Sequence, residues 1–148
     1  MRIIYSDEQI TWTTDIRIFL AGPTPRSVDV KSWRPEAIKI LRDLKFDGTV
    51  LIPEHKSSGN FNYLNQVEWE WEGLEGCSKI VFWVPRDLKT MPAFTTNVEF
   101  GSYVRSGRVI YGRPDNSPKN DYLDWLYGKV TGKEPFNNLT KLLSEAIK

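Results

Sequence analysis

Two glutamates stand where this chain can do chemistry. The run Thr96-Asn97-Val98-Glu99 opens a helix. One reading is a capping box, with Thr96 at the helix start and Glu99 reaching back to its backbone N–H. The other makes Glu99 a reactive carboxylate at the edge of a site, kept ionised by the positive end of the helix. A second group, Glu68, Glu70, Glu72 and Glu75, is interleaved with Trp69 and Trp71. Glu68, Glu72 and Glu75 share a solvated stripe at helical spacing. Glu70 lies about 100° off that stripe in either direction, beside the apolar side of the helix, so it points somewhere else. Two carboxylates suit glycosidic chemistry, where one captures or stabilises a cationic carbon and the other handles protons or hydroxyls.

Other reactive types offer less. Arg26, Arg34 and Arg113 can each hold a phosphate or carboxylate, or stand as surface charges. Trp33, Trp69 and Trp71 can wall a nucleobase or fill a core. His55 has no Ser or Cys motif beside it, so a nucleophilic triad lacks support, and Cys77 precedes a buried strand. Gly22-Pro23-Thr24-Pro25-Arg26 lacks the GxGxxG spacing, and no GxxxxGK[ST] loop occurs. With one Cys and one His, a zinc site would need carboxylates to complete it. Neither cofactor nor metal is expected.

The elements that must position these residues alternate. Ile16 to Ala21 is a strand stopped by Gly22-Pro23, and Trp33 to Leu44 a helix capped by Ser32. Thr49 to Ile52 is a short strand. Tyr63 to Gly76 is a helix with Leu64, Val67, Trp71 and Leu74 on one apolar side. Lys79 to Val84 has the continuous apolar character of a central parallel strand. Arg86 to Phe94 is a loop, Thr96 to Ser106 a helix and Arg108 to Tyr111 a strand. Tyr122 to Tyr127 is a short helix and Leu139 to Ile147 the last one. Met1 to Tyr5 and Ile10 to Trp12 suggest an antiparallel hairpin at an edge. This alternation predicts an α/β domain, a parallel sheet of four or five strands with helices on both faces. Ligands of such sheets sit outside the carboxyl ends of the strands. The loops Gly22–Val28, Pro53–Gly59, Pro85–Asn97 and Gly112–Asn116 are therefore the ones to inspect.

The 148 residues carry 20 Lys+Arg and 19 Asp+Glu, a formal charge of +1. That balance speaks against a surface for a nucleic-acid polymer, which needs clustered basic residues. Residues 1–148 are expected to form one domain. The amino terminus has no apolar signal region, and the longest apolar run, Ile80 to Val84, is far too short for a membrane span. A lone Cys suits the cytoplasm.

Taken together, IFLAGPTPR, SWRPEA, QVEWEWEGLEGCSKIVFWVPR, FTTNVEFG and VIYGRP resemble the nucleoside 2-deoxyribosyltransferase-like family from about Ile16 to Pro114. The resemblance implies a flavodoxin-like sheet. It also implies cleavage or exchange of the N-glycosidic bond of a (deoxy)nucleoside or its 5′-monophosphate, without a cofactor. On it, Glu99 is the nucleophile and Glu70 contacts the base or ribose. Gly22 lets backbone approach the ligand, and Asn97 contacts sugar or phosphate. Gly22, Pro23 and Arg26 form the sugar or phosphate floor, flanked by Trp33 and Arg34. Family members tend to be homo-oligomers in which a neighbour's carboxyl-terminal segment completes the pocket. Two positions depart from the family. Ala93 stands where an aspartate helps protonate the base, and Phe19 where a tyrosine orients the nucleophile. They leave open a second reading, a non-catalytic nucleotide-binding module on the same fold.

Overall fold

The computed structural model describes residues 1–148. Its strands are β1 (Arg2–Tyr5), β2 (Arg17–Ala21), β3 (Thr49–Ile52), β4 (Lys79–Trp83) and β5 (Val109–Gly112). Its helices are α1 (Arg34–Asp43), α2 (Tyr63–Gly76), α3 (Phe94–Tyr103), α4 (Asp121–Thr131) and α5 (Leu139–Ala146), with a 3-10 turn at Val104–Ser106. All strand pairs are parallel, in the order β1-β3-β2-β4-β5. The inner order β3-β2-β4-β5 is that of a flavodoxin-like α/β fold, with β1 added outside β3.

Strand alternation divides the core between two faces. Ile18 and Leu20 of β2 join Val81 and Trp83 of β4 in the apolar layer with Ala37 and Leu41 of α1 and Leu142 and Leu143 of α5. Phe19, Ala21, Ile80 and Phe82 face the other way, in the layer with Trp69 and Leu74 of α2, Phe100 and Tyr103 of α3, and Tyr127 of α4. Burial on both faces explains why β4 reads as an unbroken apolar run.

The expected amino-terminal hairpin does not form. β1 pairs parallel with β3, and residues 10–12 are not a strand. Ile10 instead enters the α2-side core, while the Trp69 indole N–H donates to the Glu8 carbonyl at 2.9 Å. Burial of Ile10 and that bond outweigh local pairing. The α2 boundaries match the sequence expectation, but its apolar side does not. Leu74 is buried, whereas Leu64, Val67 and Trp71 are exposed, and the helix packs inward through Trp69, Gly73 and Leu74. Gly73 permits this seat, since a Cβ there would lie 2.7 Å from the Phe19 ring and 3.2 Å from Leu51. α1 starts at Arg34, one residue later than expected, and Ser32 serves it differently. The Ser32 hydroxyl accepts the Arg34 N–H and donates to Glu54.

Candidate active site

The crossover from β2 leads to β3 on one side and the next leads from β3 back past β2 to β4 on the other, so the chain order switches between β2 and β4. Outside the carboxyl ends of these two strands lies a cavity of about 510 Å³. Gly22, Pro23, Thr24 and Arg26 line it from the loop after β2. Gln66, Val67, Glu70 and Trp71 line it from α2, and Ala93, Phe94, Thr96, Glu99 and Tyr103 from α3 and its approach. Val67 and Trp71 of the exposed apolar side of α2 are thus pocket wall, whereas Leu64 is not. Gly22 has φ +142°, and a Cβ there would sit 2.1 Å from the Trp83 carbonyl, so the floor loop passes β4 where no side chain fits.

Glu99 belongs to the second turn of α3. That helix begins at Phe94, with Ala93 before it in the left-handed conformation and no side-chain cap. Thr96 is consequently inside the helix and buried, and the capping box is not made. Burial pushes the Glu99 carboxyl up to about 8, neighbouring Glu70 adds to this, and the Arg34 charge opposes it. The expectation of an ionised Glu99 held by the helix end is therefore overturned. The helix field fades within the first turn, and desolvation beside a like charge outweighs it.

Glu70 reaches the same cavity because Gly73 lets α2 sit close to the sheet. The Gln66 side-chain N–H groups donate to Glu70 Oε1 at 2.6 Å and to the Pro53 carbonyl at 3.3 Å, which fixes the carboxylate from one turn earlier. Burial raises the Glu70 pKa, while the Gln66 bond, Arg34 and His55 lower it. Burial together with the Glu70 charge thus favours a protonated Glu99 near neutrality.

Gly22, Pro23, Arg26, Glu70 and Glu99 meet in the cavity, whereas Trp33, Arg34 and Asn97 do not line it. Trp33 supports the floor loop from beneath, its indole N–H donating to the Pro23 carbonyl at 3.3 Å. Arg34 is 1% exposed and its guanidinium is taken up by protein acceptors. Asn97 Oδ1 accepts from Arg86 at 2.6 Å. Arg113 is paired with Asp124 at 2.6 Å. Arg26 alone among the basic residues lines the cavity, its guanidinium 5.6 Å from the Phe94 ring and its backbone N–H tied to the Thr90 carbonyl.

Sequence reasoning missed Gln66, Glu54 and Arg86. Gln66 carried a usable signal, four residues before Glu70 on the same helix face. Arg86 and Glu54 carried none, because their partners are distant in sequence. No group of three or more His, Cys, Asp or Glu side chains is placed to hold a metal ion, and no helix is long and apolar enough to cross a membrane.

A family model described as nucleoside 2-deoxyribosyltransferase like matches residues 15–116, which include both crossovers, the floor loop and the two glutamates. The chain belongs to this family. No curated protein matches it significantly.

Proposed function

We propose that the protein cleaves or exchanges the N-glycosidic bond of a (deoxy)nucleoside or its 5′-monophosphate, with Glu99 as nucleophile. The supporting observation is the convergence of Glu70 and Glu99 on one cavity with apolar walls. In its ionised form Glu99 attacks the anomeric carbon as the carbon–nitrogen bond breaks. The base leaves with the bonding electron pair and takes up a proton from solvent. A second base, or water, then displaces Glu99 from the glycosyl ester and gives a proton back to solvent. Glu70 contacts the base or ribose and shares the proton of the pair. Trp71 offers an aromatic wall, and Gly22, Pro23 and Arg26 the sugar and phosphate floor.

The protein is incubated with each deoxynucleoside and deoxynucleotide, with and without a second base, and free base is followed by chromatography. At least one substrate is cleaved, and Glu99→Ala reduces the rate by about 100-fold or more. Intact substrates throughout, or an unimpaired Glu99→Ala, would refute the assignment.

One observation favours the second reading, a binding module. Phe19 is 1% exposed and packs against Trp69 with ring centres 6.0 Å apart, so no hydroxyl comes from the first loop strand to orient Glu99. Calorimetry that detects nucleotide binding without product over days would support the module.

A further inference from the structure

Arg34 is a charged side chain placed where charge is costly. Its Nε donates to the Leu20 carbonyl at 3.0 Å, Nη2 to the Gly22 carbonyl at 2.7 Å, and Nη1 to Thr24 Oγ1 at 3.1 Å and Glu54 Oε1 at 2.5 Å. An arginine buried only to make a salt bridge would place its fork on the carboxylate. Here the ion pair takes a single short contact, and the remaining bonds hold the chain from the end of β2 through the floor loop. Gly22 is thereby clamped between the Trp83 carbonyl and the Arg34 guanidinium.

We propose that Arg34 is a positioning residue that acts on the reacting pair in two ways, building the floor loop and holding a fixed positive charge behind Glu70 and Glu99. Its catalytic consequence rests on the function proposed above. Nucleophilic attack needs Glu99 ionised while Glu70 stands beside it, and a buried cation favours the state of the pair that carries negative charge. The titratable groups that line the cavity with Glu99 are Glu70 from α2, Tyr103 from its own helix and Arg26 from the floor loop; Arg34 stands outside it, bonded to Gly22 and Thr24 of the lining, and His55 acts on Glu70. Arg34 is the buried cation among them. Glu54 offsets part of that charge and is itself held by the Ser32 hydroxyl at 2.6 Å. The influence of Arg34 on the pair is therefore set by a balance within the Arg34–Glu54 contact.

That balance predicts shifts of opposite sign, which a merely structural role would not produce. Glutamate carboxyl carbons are labelled with ¹³C and titrated by NMR, with Glu99→Gln identifying the Glu99 signal. Arg34→Met raises the Glu99 midpoint by about one pH unit or more, whereas Glu54→Gln, which leaves the Arg34 charge less compensated, lowers it. Arg34→Lys keeps the charge and moves it by less than about half a unit. A Glu99 midpoint that stays put, or moves the same way in Arg34→Met and Glu54→Gln, overturns the proposal. Where Arg34→Met does not fold, Glu54→Gln decides alone, and an unchanged or raised midpoint overturns it. The titration needs no turnover. Shifts as expected in a protein that cleaves no nucleoside would uphold Arg34 and refute the proposed activity, and cleavage without the shifts would do the reverse.

Discussion

The two walls of the cavity are each braced by a buried arginine, and the braces differ in kind. Arg34, under the β2 loop, is paired with Glu54. Arg86, after β4, is 6% exposed and has no carboxylate partner. It donates instead to Asn120 Oδ1 at 3.2 Å, the Pro92 carbonyl at 2.5 Å and Asn97 Oδ1 at 2.6 Å. Arg34 acts electrostatically on both Glu70 and Glu99, whereas Arg86 does not figure among the charges acting on either. Both arginines are disfavoured in their charged form by burial, but only Arg34 has carboxylate neighbours that restore it, Arg86 being supported by the Tyr111 phenol instead. The contrast separates two tasks that one residue type can perform. One brace supplies charge and shape, and the other supplies shape alone, holding the left-handed turn at Ala93 from which α3 sets out.

The largest expected effect comes from breaking the charged brace. Arg34→Met strands Glu54 without its partner and should cost about 3–5 kcal/mol of stability in urea unfolding. Next is the pair that the brace serves. The folded-state pKa of Glu99, about 8, lies above its ordinary 4.5, so the folded protein holds the extra proton between those values. Stability is therefore favoured below that window, falls as pH rises through it by at most about 1.4 kcal/mol per unit, and levels off above. In melting curves across the window, Glu99→Gln should remove that component of the slope and be more stable than its parent on the alkaline side. Arg86→Met leaves Asn97, Asn120 and the Pro92 carbonyl without that donor but removes a buried charge that no carboxylate compensates. A cost of about 1–3 kcal/mol is expected, together with an unchanged Glu99 midpoint in the same NMR titration. A cost for Arg86→Met equal to that for Arg34→Met, or a moved midpoint, would erase the distinction between the braces. The smallest effect on stability belongs to Arg26→Ala, within about 0.5 kcal/mol. It should nevertheless lower binding of a 5′-monophosphate relative to its nucleoside by about 10-fold in calorimetry.

How much of this was visible in sequence depends on whether the deciding contact is local. The strand and helix alternation, the span of α2 and the apolar run of β4 follow from periodicity and turn residues close at hand, and the fold class came with them. Glu70 was separable from its three neighbours by helix geometry alone. The failures have one physical source. Leu64, Val67 and Trp71 have the spacing of a core face, yet which side of a helix meets a sheet is decided by the closest approach, and Gly73 and Trp69 win it. Thr96 and Glu99 have the spacing of a capping box, but the tertiary environment starts the helix two residues earlier. Arg34 was recognisable as a candidate anion holder. Its actual partners, on a strand end, a loop and the following crossover, are assembled only by the fold.

Gly73 carries no functional group, and its absent methyl sets the depth at which α2 rests on Phe19 and Leu51. Glu70 rides on that helix and Glu99 on another, so the gap between the two carboxyl groups is a mechanical dimension, gauged by how closely a backbone can approach an aromatic ring. In glycosidic chemistry this gap decides whether a water molecule fits between the acids. A change from Gly73 to alanine would act as a shim, lifting one acid away from the other without altering a reactive atom. The spacing of the two acids is thereby set from a position outside the cavity wall.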